Sequence, residues 1–426
     1  MKKTLLSALG MLLFGTTAVA ANPADAAADQ LAYQVSQIPG PGKFPRALFT
    51  DYSIGEVAYQ LEREPKDFYP QIELRNHPTL KEFNTVRYHN YRDWTSGFLP
   101  GSLWLAYELT GRDDMRRAAT ELTNQLLPVS YMKDTHDLGF MVNCSYGNAL
   151  RLAPSDSIKA VIVRTADNLI SRFDPKVGVI RSWDFGPWNY PVIIDNMMNL
   201  ELLFNASRLT GDSKYRDIAL KHADKTLKCH FRPDFTSYHV VSYTPDGGIE
   251  SRGTFQGKAD ESAWSRGQGW ALYGYTECYR ESGRKEYLEQ ARHIADMIME
   301  RNVTEDLIPY WDLDARNEPT TPRDASAGAL YAAAMIELST MLPEKEGKKY
   351  LDYAEKILAA LASPQYTAEQ GTNGGFILKH STGSLPHGSE IDTPLNYADY
   401  YYLEALVRLD RVKKGLPATS WDKIKK

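Results

Sequence analysis

Apolar positions recur at helical spacing along most of the chain and are broken by short Gly- or Pro-bearing turns, a pattern that predicts paired helices. Leu105-Ala106-Tyr107-Glu108-Leu109-Thr110-Gly111-Arg112-Asp113 ends one apolar stripe, puts Gly111 where a left-handed C-cap is wanted, and restarts a helix at once. Leu203 to Asp212 repeats the plan around Gly211, and Tyr279 to Arg284 repeats it around Gly283. Met341-Leu342-Pro343-Glu344 and Leu152-Ala153-Pro154-Ser155-Asp156 are variants with Pro at the turn. With few alternating β-branched runs, such turns predict an all-α array of about ten to twelve helices built from αα-hairpins.

An open solenoid and a closed toroid both satisfy that pattern. Closure is favoured because the repeat has no strict short period and because Trp and Tyr gather in connections expected on one side. Those connections, Tyr91 to Phe98, Arg181 to Tyr190, Tyr238 to Trp270 and Pro309 to Trp311, would line the mouth of a ring. No linker or shift of composition divides the chain, so residues 43–426 are expected to form a single domain, with residues 21–42 as a polar, Pro- and Gly-bearing lead-in. Ahead of it, Met1-Lys2-Lys3, the apolar Leu5 to Ala20 region and Ala18-Val19-Ala20 have the form of a cleavable signal over residues 1–20. An exported protein is expected, in a bacterial periplasm.

Composition narrows the function classes. A formal net charge of -5, with no polybasic tract, argues against nucleic acid and anionic membranes as partners. Beyond the signal, no run approaches the ~20 apolar residues that span a bilayer, so no membrane insertion is expected. Cys144, Cys229 and Cys278 allow at most one disulfide and lack metal-type spacing, and the histidines show no HExxH motif. No metal and no other cofactor is called for. Nothing in the pattern sets an oligomeric state.

Asp195 is the residue that most clearly signals chemistry, a carboxylate inside Val192-Ile193-Ile194-Asp195-Asn196-Met197-Met198-Asn199-Leu200. Apolar surroundings disfavour a charged carboxylate and raise its pKa, which suits a general acid near neutral pH. Asp137, in Lys133-Asp134-Thr135-His136-Asp137-Leu138-Gly139-Phe140-Met141, precedes another apolar turn and is a candidate partner. The competing reading is that each Asp caps a helix, since Asp is a favoured N-cap.

Taken together, these residues resemble the unsaturated glucuronyl hydrolases, glycoside hydrolase family 88. The resemblance runs from Trp94-Thr95-Ser96-Gly97-Phe98 to Tyr397-Ala398-Asp399-Tyr400-Tyr401-Tyr402-Leu403-Glu404-Ala405-Leu406. Its most specific parts are Asp134-Thr135-His136-Asp137-Leu138-Gly139-Phe140, Asp195-Asn196-Met197-Met198-Asn199-Leu200 and Trp264-Ser265-Arg266-Gly267-Gln268-Gly269-Trp270. It implies a six-hairpin α/α toroid, the (α/α)6 barrel, with Asp195 as proton donor and Asp137 as its essential partner. It also implies substrate contacts from His136, Trp183, His239, Thr254, Gln256, Arg266 and Trp270, with Trp188 the alternative to Trp183 in the same loop.

Trp94 joins Trp183, Trp188, Trp264 and Trp270 as a candidate for stacking on a sugar ring. Core packing is the competing reading for the tryptophans, strongest for Trp104, and a stacked structural side chain is the competing reading for Arg266 between two Trp residues. His239, in Tyr238-His239-Val240-Val241, alternates with apolar residues as a strand does, which fits a buried, hydrogen-bonded imidazole equally well. Some family members receive a sulfate with a Ser-x-x-Ser-x-Lys pattern. Ser381 and Ser384 fit it, but Pro386 stands at the Lys position.

The substrate implied by the resemblance is a lyase-generated oligosaccharide ending in a 4,5-unsaturated uronic acid, glycosaminoglycan-type or related, which is released by hydration of its C4=C5 bond. The rival readings are an unsaturated rhamnogalacturonyl hydrolase of pectin breakdown, a conventional two-carboxylate glycosidase, and a sugar-binding protein without catalysis.

Overall fold

The computed structural model describes residues 22–48, 85–316 and 321–421. The expected signal over residues 1–20 lies outside them. Among the described residues the chain forms twelve helices and seven short strands. The helices are α1 Pro23–Ser36, α2 Phe98–Thr110, α3 Asp113–Asn124, α4 Asn148–Leu152, α5 Asp156–Ile170, α6 Leu200–Thr210, α7 Ser213–Cys229, α8 Ser265–Ser282, α9 Lys285–Arg301, α10 Ala325–Thr340, α11 Glu344–Leu361 and α12 Asn396–Lys413.

The turns form as their sequence requires. Gly111, Gly211 and Gly283 have φ of 69°, 74° and 70°, and each donates its N–H back into the last turn of its helix. Helices α3, α9 and α11 carry one apolar stripe and lie outside, whereas α8 and α10 bury nearly every residue of their first three turns. A helix buried all round belongs to an inner layer.

That inner layer closes on itself. Helix α2 packs against the wide π-type segment Gly139–Gly147, which continues as α4; this packs on α6, whose preceding tight segment Ile194–Asn199 packs on α8; α8 packs on α10, α10 on α12, and α12 returns to α2. Five of the six inner elements have an outer partner that is their neighbour in sequence, namely α3, α5, α7, α9 and α11. The sixth outer helix is α1.

This corrects the expected polar lead-in over residues 21–42. Residues 23–36 are a helix that buries Ala24, Ala27, Ala28 and Leu31 against the ring, and Gln30 donates to the carbonyls of Thr372 and Phe376 while accepting from Gly371 N. The Asp and Gln residues between the alanines make the segment look polar by composition, whereas the small Ala side chains on one face allow close helix packing. The domain therefore begins before residue 43.

Strands β1 Phe44–Leu48 and β2 Val86–His89 pair antiparallel, as do β3 Phe173–Asp174 and β4 Val179–Ile180. Strands β5 Pro191–Ile193, β6 Val240–Tyr243 and β7 Ile249–Gly253 form a small antiparallel sheet, with Ile193 opposite Val240. This sheet positions the site, because it brings the start of the Asp195 segment beside His239. All three cysteines are buried and unpaired.

Candidate active site

Asp195 lies in the tight 3-10 segment that joins β5 to α6, and it caps nothing: the cap position is Ile193 and no side chain closes the cap. Its Oδ2 is sealed from solvent without a hydrogen-bond partner, and the side chain as a whole keeps 10% of its surface exposed. Burial pushes the Asp195 pKa up to about 7, with the Arg266 charge pulling it back and the Asp137 charge adding to it. The Trp270 indole N–H also favours the charged form, although it does not reach full hydrogen-bond geometry.

His239 supplies the wall behind Oδ2. Its Nδ1 accepts the backbone N–H groups of Phe255 and Gln256 at 3.0 and 3.1 Å, so its proton lies on Nε2, 3.6 Å from Asp195 Oδ2. Burial and the Arg266 charge hold the imidazole neutral, well below its ordinary pKa.

Asp137 precedes the π-type segment and likewise caps nothing; its side chain is 17% exposed. Its Oδ2 accepts the Thr135 hydroxyl at 2.9 Å, and His136 Nε2 stands 3.3 Å from Oδ1. The two acidic segments are stitched together: Asn199 Oδ1 accepts Phe140 N at 3.0 Å, and Gly139 is required there because a Cβ would sit 2.5 Å from the Asn199 backbone. Both residues lie within the motifs that carry the resemblance. Arg172 braces the same region, donating to the Lys133 carbonyl and, with both terminal nitrogens, to Asp184 at 2.9 and 3.0 Å.

The expected substrate contacts divide into two sets. Trp94, Trp183, Thr254 and Gln256 keep part of their surface open. His136, His239, Trp270 and Arg266 do not: the side chains of both histidines are fully buried, Trp270 is fully buried, and Arg266 is 1% exposed. These four are buried around the two aspartates: His136 stands beside Asp137, and His239 beside Asp195.

Arg266 shows the difference most clearly. Its Nη1 donates to Asp324 Oδ2 at 2.7 Å and to the Thr382 carbonyl at 2.6 Å, and its Nη2 donates to the Gly383 carbonyl at 2.5 Å. The guanidinium stacks over Trp264 at 4.6 Å, so the structural reading of this arginine describes its contacts. Only Nε is left without a partner. Thr254 is also engaged, accepting Gly257 N at 2.7 Å, while Gln256 reaches the Gly383 carbonyl at 3.3 Å.

Ser381 is buried, and Ser384 lies 2.6 Å from His387 Nδ1, so neither hydroxyl is held ready for an anion. Trp104 is a core residue, with its N–H on Thr123 at 3.0 Å. Sequence reasoning missed Arg172, Asp324, Phe255 and His387. Phe255 had a signal, lying between two expected contacts. The others come from distant segments. Among the described residues no group of three or more His, Cys, Asp or Glu side chains is arranged to hold a metal ion, and no helix is long and apolar enough to cross a membrane.

Comparison with known proteins places this geometry. The family model for Glycosyl Hydrolase Family 88 matches residues 71–417. An unsaturated glucuronyl hydrolase of Formosa agariphila is 46% identical over 322 residues, 74% of this chain and 80% of that protein. An unsaturated chondroitin disaccharide hydrolase of Streptococcus pneumoniae is 32% identical over 387 residues, 88% of this chain and 96% of that protein. The crystal structure of an unsaturated glucuronyl hydrolase specific for heparin superposes with a TM-score of 0.82 at 44% identity, covering 93% of this chain and 98% of that one.

Proposed function

The chain belongs to glycoside hydrolase family 88, and we propose that it releases the 4,5-unsaturated uronic acid from the non-reducing end of lyase-generated oligosaccharides by hydrating the C4=C5 enol ether. The observation that carries this reading is Asp195: a buried carboxyl group with one sealed, unpartnered oxygen beside the His239 N–H and a pKa of about 7. A proton from the Asp195 carboxyl goes to C4, leaving an oxocarbenium-like centre at C5. Water adds there and gives its proton to the Asp195 carboxylate, which restores the acid. The C5 hemiketal opens to a ketone, the freed ring oxygen makes C1 a hemiacetal, and its collapse to the aldehyde expels the remaining sugar.

Asp137 holds the water or a ring hydroxyl and, as a nearby negative charge, keeps the proton on Asp195. Gln256 and Thr254 face the uronate from one loop, and Arg266 contributes its field from behind the wall. The names of the relatives support a uronide from glycosaminoglycan breakdown as the substrate class. The Met1 to Ala20 stretch supports an exported, periplasmic enzyme, placed where such lyase products arrive.

Two measurements test the reading. An unsaturated disaccharide should lose its enol-ether absorbance as it is consumed, and reaction in deuterated water should place deuterium at C4 of the keto acid. A released uronic acid that keeps its double bond, with C4 unlabelled, would instead identify a conventional glycosidase. The pH dependence has a defined sign. Because the acid is the reactive form and its pKa is raised, kcat/KM should fall as pH rises through about 7. A profile that is flat from pH 6 to 9 would remove Asp195 from the role of acid.

A further inference from the structure

Phe185 is a large apolar side chain left 55% exposed in the loop that also carries Trp183 and Trp188. Single exposed hydrophobic residues are ordinary on protein surfaces and need no ligand. This one is the outer end of a continuous aromatic surface. Phe185 stacks on Trp183 with ring centroids 5.0 Å apart and planes 21° apart, and it meets Phe255 at 6.1 Å. Trp188 touches both Trp183, at 5.6 Å, and Phe255, at 5.8 Å, and the His387 ring packs on Phe255 at 4.2 Å. Inward, Trp183 stands edge-on to His239 at 6.0 Å, and His239 faces Asp195. The rings therefore run without a break from the sealed side of the reactive carboxyl to bulk solvent.

The rim is built in advance. Asp184, between Trp183 and Phe185, is gripped through both oxygens by Arg172, and Asn189 beyond Trp188 is tied to Glu250. His387 adds no charge: burial lowers its pKa to about 4, and its Nδ1 is engaged by the Ser384 hydroxyl. A preformed ledge of aromatic faces suits the C–H face of a sugar ring.

We propose that Phe185, Trp188, Phe255 and His387 form the platform for the sugar on the leaving side of the scissile bond, so that this rim sets the preference for what the unsaturated uronic acid is attached to. The proposal rests on the hydration reading above. An enzyme that holds a terminal uronic acid at a buried carboxyl must let the rest of the oligosaccharide leave through the mouth, and there the next ring meets the ledge. Phe185 forms the outermost part of that ledge.

The test compares two substrates that share the same unsaturated uronic acid, one a disaccharide and the other the methyl glycoside, which has no second ring. In Phe185→Ala, kcat/KM for the disaccharide should fall about five- to tenfold, mainly through KM, while the loss on the methyl glycoside is several times smaller. Phe185→Tyr, which restores a ring, should recover most of the difference. Equal losses on both substrates, or a ratio of the two kcat/KM values within twofold of wild type, would overturn the platform. Failure of the wild-type enzyme to consume either substrate would overturn the hydration reading itself, a different outcome from loss of the ratio alone. Because Phe185 is more than half exposed, both variants should fold.

Discussion

Asp195→Asn should lower turnover by at least about a thousandfold, because the amide keeps the size of the carboxyl but can neither give a proton to C4 nor take one from water. The loss should come with a gain in stability, and this separates chemistry from damage to the fold. The Asp195 pKa is raised in the folded protein to about 7, from an ordinary value near 3.8. Its protonated form is therefore the one the fold prefers. As pH rises above about 4 the unfolded chain ionises first, folding is disfavoured increasingly up to about pH 7, and the cost is then constant. Asn has no such cost. Asp195→Asn should melt close to wild type at pH 4 and above it at pH 8, while remaining inactive at both. Activity within tenfold of wild type would sink the assignment of Asp195, and an inactive variant that melts far below wild type at pH 8 would attribute the loss to unfolding.

Arg266→Ala should act mainly on stability. Removing one partner of a buried ion pair leaves an uncompensated charge, which typically costs about 3–5 kcal/mol. Here Asp324 is fully buried, and the carbonyls of Thr382 and Gly383 would lose their donors as well. The expected result is a large fall in the denaturant midpoint and in Tm, together with loss of the 382–383 segment from the pocket wall. Arg266→Lys should recover little, since a single ammonium cannot serve three acceptors in a fixed fork. Any activity remaining in Arg266→Ala should persist to higher pH than in wild type, because the Arg266 charge is what pulls the Asp195 pKa down. Unchanged stability with a large rise in KM would return Arg266 to direct contact with the uronate.

The two aspartates were legible in the sequence for different reasons. Asp195 was marked by its apolar neighbours, the same neighbours that strip water from it in the fold. Asp137 was marked by its motif more than by its setting, and the motif's Gly139 proves to be the point of closest approach between the two acidic segments. His239 is readable as strand-like and is fixed beside β6, but no local pattern shows that its N–H points at Asp195 across the sheet.

The features legible in the chain alone depend on short separations: the helical stripes, the left-handed glycine caps at Gly111, Gly211 and Gly283, the all-α plan, and a carboxylate set among apolar residues. Helix periodicity and capping depend on groups within about four positions of each other, so they can be read from one strand of text. Burial cannot. That α1 docks on the ring as an outer helix depends on Gln30 meeting Thr372 and Phe376, and that the Arg266 guanidinium is occupied within the protein depends on Asp324, Thr382 and Gly383. Only the tertiary structure decided which members of the site touch its occupant and which stand behind the wall, because a side chain's exposure is set by the distant segments that pack over it.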